Sequence, residues 1–144
     1  MPTVGAVAAS SSQSTNLTLL ASTTSTASAT ATGTIPIPVF AQAILQLHVT
    51  AVAGTTETLD VYVQTLLPDG ATYTDLAHFT QVTTSTGDWW ISMATGSTGA
   101  SVVQDAALAA GSVALLNFGS TWRLKWVISG TSPSYTFTVF ASFF

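Results

Sequence analysis

Apolar and polar residues alternate most strictly near the C-terminal end of the chain. In residues 121–128, Trp122, Leu124, Trp126 and Ile128 fall on one face, and Arg123, Lys125 and Val127 on the other. In residues 135–143, Tyr135, Phe137, Val139, Ala141 and Phe143 alternate with Thr136, Thr138, Phe140 and Ser142. Successive strand side chains point to opposite faces, so each run predicts a strand with one bulky apolar face. Ser129, Gly130, Thr131, Ser132 and Pro133 lie between the runs and carry turn chemistry, which predicts a tight antiparallel hairpin. No other stretch concentrates so much aromatic surface, and aromatic side chains dominate core energetics. The hairpin is therefore expected to be the centre of the sheet.

The same period recurs upstream. Residues 41–53 place Ala43, Leu45, Leu47, Val49 and Ala51 on one face, with Gln42, Ile44, Gln46, His48 and Thr50 opposite. Residues 57–66 place Leu59, Val61 and Val63 inward, with Asp60, Tyr62 and Gln64 outward. Gly54-Thr55-Thr56 between them has the length of a hairpin loop, and Leu67-Pro68-Asp69-Gly70 is a turn signal. A further strand is expected over 72–83, bulged near Ala77-His78. Ser85-Thr86-Gly87 then turns the chain into a strand over 88–93. Residues 94–101 read as a loop. Residues 102–118 read mostly as loop with short strands; the alanine-rich 102–110 could make one or two helical turns, limited by Gly111 and Asn117-Phe118-Gly119. About seven or eight strands, spaced roughly 8–15 residues apart with no sustained helix, predict an all-β fold: a single β-sandwich of jelly-roll type over residues 35–144.

Residues 1–34 form a segment apart. They hold Ser, Thr, Ala and Gly but no charge and no aromatic residue, and Leu17, Leu19 and Leu20 are their largest apolar side chains. Little here could offset the entropy of ordering, which favours a disordered low-complexity N-terminal arm. Thr-Ala alternation and β-branched Thr favour extended backbone instead, and so an arm that adds to a neighbour's sheet. Gly33, Pro36 and Pro38 mark the boundary, with Ile35 and Ile37 expected to be extended.

Charge narrows the function classes. Charged residues make up 6% of the 144, against roughly 25% in ordinary soluble domains. The chain has 17 Ser and 26 Thr, nearly a third of its residues. A free monomer normally relies on charge for solubility and to blunt sheet edges. The composition thus predicts a subunit whose edges are covered by neighbours. Arg123 and Lys125 are the only cations, too few to neutralise a phosphate backbone, so no nucleic acid is expected. Cysteine is absent, so there is no thiol or disulfide chemistry. Met1-Pro2-Thr3-Val4 lacks the basic start of a signal peptide. No apolar run reaches the ~18 residues of a membrane helix, so no membrane partner is expected.

Candidate chemistry is sparse. His48 lies mid-strand on a polar face and reads as packed or solvated. Asp75 and His78 would point to opposite faces of a strand, which argues against a shared metal; zinc also wants more N/S donors than the chain holds. Ser, Asp and His occur without a Gly-x-Ser-x-Gly elbow, so no catalytic residue, metal ligand or cofactor site is assigned and the chain is not expected to be an enzyme. Asp69-Gly70 reads as a hairpin turn, since the spaced acidic loop of a calcium site is missing. Adjacent strand residues face opposite ways, so of Trp89 and Trp90 one should enter the core and the other be exposed or covered by a partner. Trp89, Trp90, Arg123 and Lys125 are the candidate interface residues. Sugar stacking is the alternative use of the exposed tryptophan.

Four blocks carry a resemblance: Leu59-Asp60-Val61-Tyr62-Val63-Gln64-Thr65; Pro68-Asp69-Gly70; Asp75-Leu76-Ala77-His78-Phe79-Thr80-Gln81; and residues 122–137, WRLKWVISGTSPSYTF. As a set over roughly residues 40–141 they resemble small virion proteins of tailed bacteriophages. The resemblance implies an all-β, multimeric structural protein without catalytic residues. Its expected role is capsid decoration (cement) on the outer surface of the virion. The expected partners are its own copies, as a homotrimer, and the phage major capsid protein, after synthesis in the bacterial host cytoplasm. A head–tail connector or tail subunit is the alternative within that class, and a carbohydrate-binding or adhesin module the alternative outside it.

Overall fold

The computed structural model of the chain describes residues 14–94, 107–114 and 120–144. These residues form strands and no helix: β1 (Thr15–Ser25), β2 (Ala29–Thr30), β3 (Ile35–Pro36), β4 (Gln42–Leu66), β5 (Tyr73–His78), β6 (Gly87–Ala94), β7 (Ser112–Val113) and β8 (Thr121–Phe143). All join one antiparallel sheet. Its spine is the β4–β8 ladder, which runs from Ala43 opposite Phe143 to Thr65 opposite Trp122. On one half of this spine, β1 flanks β8 and β6 flanks β4. On the other half, β2 and β3 flank β8, β5 flanks β4, and β7 pairs with β5.

Two expected turns are not turns. Gly54-Thr55-Thr56 lies inside β4, and Ser129 to Pro133 lie inside β8. The two aromatic runs of β8 do not pair with each other; both pair with β4. The residues do bend the chain, with positive φ at Gly54 (128°), Thr56 (53°), Gly130 (121°) and Ser132 (49°). Register shifts at Val49/Ala51, Ala53/Thr55 and Thr55/Thr58 absorb the bend within the ladder, as bulges do. Glycine is required at two of these points because the strands nearly touch. A Cβ on Gly54 would lie 2.9 Å from the Pro133 Cα, and one on Gly130 2.7 Å from the Glu57 Cα.

The bend doubles β8 back on itself. The Trp122 and Phe143 ring centroids are 5.6 Å apart, and those of Trp126 and Phe137 also 5.6 Å, edge to face at 79°. An unbent strand of this length would span about 75 Å, so the two halves must face one another. Phe40, just before β4, closes the far end, 5.8 Å from Trp122 and 5.0 Å from Phe143.

The inward faces named from the alternation are buried: Ala43, Leu45, Leu47 and Val49; Leu59, Val61 and Val63; and the apolar faces of both β8 runs. Ala51 alone departs. It follows the first register shift and is exposed. Each large side chain buried here is worth about 1.5–3 kcal/mol relative to exposure. The polar atoms of two core aromatics have partners: the Trp126 indole donates to Ser25 Oγ (3.0 Å), and the Tyr135 hydroxyl to the Thr83 carbonyl (2.8 Å). Burial pushes the Tyr135 phenol from 10.0 up to about 12, helped by the negative charge of Glu57 and Asp60.

The described part of the serine/threonine-rich stretch is extended over 15–25, as its β-branched residues favour. There it adds to the chain's own β8, with Leu19 buried in the core. The expected helical turns over 102–106 lie outside the described residues, and 107–110 are not helical. Among the described residues no helix is long and apolar enough to cross a membrane.

Two outcomes follow. Gly130→Ala should destabilise the fold by at least about 2 kcal/mol in urea titrations, because its Cβ meets backbone and its φ is left-handed. Gly33→Ala, with nothing within 4 Å, should stay within about 0.5 kcal/mol; equal effects would contradict the bend. The Tyr135 phenol has a raised folded-state value, so its contribution is complete below pH 10.0 and is lost as pH rises towards about 12. Tyr135→Phe should flatten the alkaline fall in the urea midpoint over that window.

Candidate functional site

The outer face of the second half of the sheet holds both cations. Arg123 on β8, Gln64 on β4 and Asp75 on β5 lie abreast. Arg123 Nε donates to Gln64 Oε1 (2.8 Å), and Gln64 Nε2 donates to Asp75 Oδ1 (2.8 Å). One row along, Tyr62 lies between Lys125 and His78. Lys125 Nζ sits 5.3 Å from the Tyr62 ring centroid, and the His78 ring stacks on that ring at 3.9 Å and 21°. The Arg123 guanidinium lies 3.9 Å over the ring of Tyr73. His78 Nε2 meets Asp60 Oδ1 at 2.9 Å, and Gln81 Nε2 donates to Asp60 Oδ2 at 2.8 Å.

Asp75 and His78 share this face, contrary to the alternation argument. The register shifts between Val63 and Gln64, so Asp75 stands opposite Gln64 and His78 opposite Tyr62. A bulge in β5 adds the residue that restores both side chains to one side. The bulge expected at Ala77-His78 thus falls slightly earlier. The pair then grips one backbone unit: His78 Nδ1 donates to the Leu108 carbonyl (2.8 Å), and the Leu108 N–H donates to Asp75 Oδ2 (3.2 Å).

His78 and Asp75 are buried, and their polar atoms are engaged with protein groups. Among the described residues the partners of Arg123 and Lys125 are tyrosine rings and an amide. A cation over an aromatic face contributes about 0.5–1 kcal/mol at a partly exposed site. Burial raises the Tyr62 phenol, with the charges of Asp60 and Asp75 adding to it. Among the described residues no three of His, Asp or Glu are gathered as metal ligands.

The outer face of the first half is different. Trp89 points inward and packs, half-buried, on the core, whereas Trp90 points outward and is 70% exposed. The two tryptophans therefore divide as adjacent strand residues must. Beside Trp90, Asp88 Oδ1 accepts from Gln46 Nε2 (2.8 Å) and from His48 Nδ1 (2.7 Å). These bonds hold the Asp88 carboxyl below its ordinary value, Gln46 contributing more than His48. Sequence reasoning placed Gln46 and His48 on this outer face but did not join them to Asp88. It also left out Tyr62 and Tyr73 as supports for the cations. The outward i, i+2 positions of β4 were the available signal.

Gln64→Ala would leave both Arg123 Nε and Asp75 Oδ1 without their partner, and should cost about 1–3 kcal/mol in urea denaturation. Gln81→Ala, at an exposed position, should stay within about 0.5 kcal/mol. Equal effects would show that the Arg123–Gln64–Asp75 row carries no stability.

No protein-family model, curated protein or solved structure matches this chain, so its function is argued from its geometry and from the resemblance of its residues.

Proposed function

We propose that the protein is a structural subunit of a bacteriophage virion: a decoration protein that binds the assembled major capsid lattice on its outer surface and stabilises it. The observation that carries this reading is an unprotected sheet edge. β1 ends the strand order, so one of its sides pairs with β8 and the other pairs with no strand among the described residues. Its eleven residues, TNLTLLASTTS, contain no charge and no proline. Free monomers blunt such edges with lysine, proline or bulges, because an open edge templates pairing with another chain. β1 has two register shifts but no charged guard, and the chain's two cations sit on tyrosines on the other half of the sheet. A subunit whose neighbours cover its edges needs no such guard.

The resemblance of residues 59–65, 68–70, 75–81 and 122–137 supplies the context of the particle. In this reading the doubled-back sheet is a sandwich of jelly-roll type, the subunits form a homotrimer, and Arg123 and Lys125 lie near contacts with neighbours. The mechanism is binding: a subunit that binds only the assembled lattice stabilises it by mass action. Neither catalysis nor a cofactor enters it.

Light scattering after size exclusion tests the reading. A mass three times the 14.8 kDa of the chain is expected. A stable monomer would overturn the argument from the open edge, and a ring of six or more subunits would move the protein to the head–tail connector or tail.

A further inference from the structure

On the first half of the sheet, Gln46 stands opposite Trp90 on one side and opposite Phe140 on the other. In the next row His48 stands between Asp88 and Thr138. The side chains form a grid on one outward face, with Trp90 at 70% exposure as its most prominent apolar surface. The hydrogen bonds that fix Asp88 use Asp88 Oδ1, Gln46 Nε2 and His48 Nδ1. Asp88 Oδ2, Gln46 Oε1 and His48 Nε2 take no part in them. A flat aromatic surface is thus bordered by hydrogen-bonding groups already held in place. Neither cation of the chain lies on this half.

We infer that this face binds a neutral glycan. A pyranose ring has an apolar face of C–H groups and a rim of hydroxyls. The Trp90 indole fits the first, and Asp88, Gln46 and His48 fit the second. Trp90 and Phe140 are two strand separations apart, about 10 Å, which lets two successive sugar units of an extended glycan lie across Gln46. The single carboxylate, with no cation beside it, disfavours acidic sugars and anions. A protein partner would instead want its aromatic anchor in a dry centre ringed by near-neutral contacts. Here hydrogen-bonding groups lie directly beside the indole, and because they are fixed before a ligand arrives, less ordering is needed on binding. The site is independent of the capsid reading and could serve a particle-bound or a free protein equally.

The test is calorimetric titration of the full-length protein with cello-, xylo-, malto- and chito-oligosaccharides, followed in parallel by tryptophan fluorescence. At least one series should bind in the micromolar to millimolar range and perturb the emission. Trp90→Ala and Asp88→Ala should each weaken that binding at least about tenfold with the thermal midpoint of the fold retained. Absence of binding across the panel at millimolar sugar overturns the inference, as does binding that survives Trp90→Ala. So does a Trp90 that acrylamide cannot quench in the assembled protein and whose replacement by alanine dissociates the assembly, since that outcome makes the face a contact between copies.

Discussion

The close crossing of β4 and β8 at Gly54 and Gly130 is the constraint on which the rest of the molecule depends. A Cβ at either position would fall within 3 Å of the opposing backbone. Without side chains there, both long strands bend at the same level, and the sheet turns its apolar face upon itself. Trp122 then meets Phe143, and Trp126 meets Phe137. Unbent, the ladder would leave a row of tryptophan, tyrosine and phenylalanine facing water. The core is thus made by one pair of strands touching itself, with β1, β5 and β6 widening the two halves.

The bend also places a carboxyl where it has little solvation. Glu57 is 5% exposed, and its Oε2 has no hydrogen-bond partner among the described residues. An unpaired buried polar atom is destabilising. Its negative charge also contributes to the raised Tyr135 phenol on the inner face of β8. Away from the bend the two outer faces diverge. One is closed, with Arg123, Gln64, Asp75, His78, Asp60 and Tyr62 holding one another. The other is open, with Trp90 beside a prearranged carboxylate. The same alternation that fills the core decides which residues reach each face, so both are set by the register of β4 against its neighbours.

Much of this was legible in the residues. Period-two spacing identified the inward side of β4 and of both halves of β8, and it divided Trp89 from Trp90. The bends were not legible as bends, because Gly, Ser, Thr and Pro serve a reversing turn and a bulged strand equally well. What separates the two is the pairing partner, which for β8 lies far away along β4, for example Phe137 with Val49, 88 residues apart. The face shared by Asp75 and His78 was hidden for a related reason. Alternation predicts opposite sides until one added residue in β5 reverses the count. The row from Arg123 through Gln64 to Asp75 draws on three strands and becomes visible only once their register is known.

The face-to-face packing of the two halves of β8 is the central claim, and nuclear Overhauser contacts test it most directly. With labelled protein, ring protons of Trp122 should show contacts to Phe143, and those of Trp126 to Phe137, alongside the cross-strand contacts from β8 to β4. Intact β8-to-β4 contacts without the aromatic ones would mean that the ladder forms but does not double back, and would contradict the account.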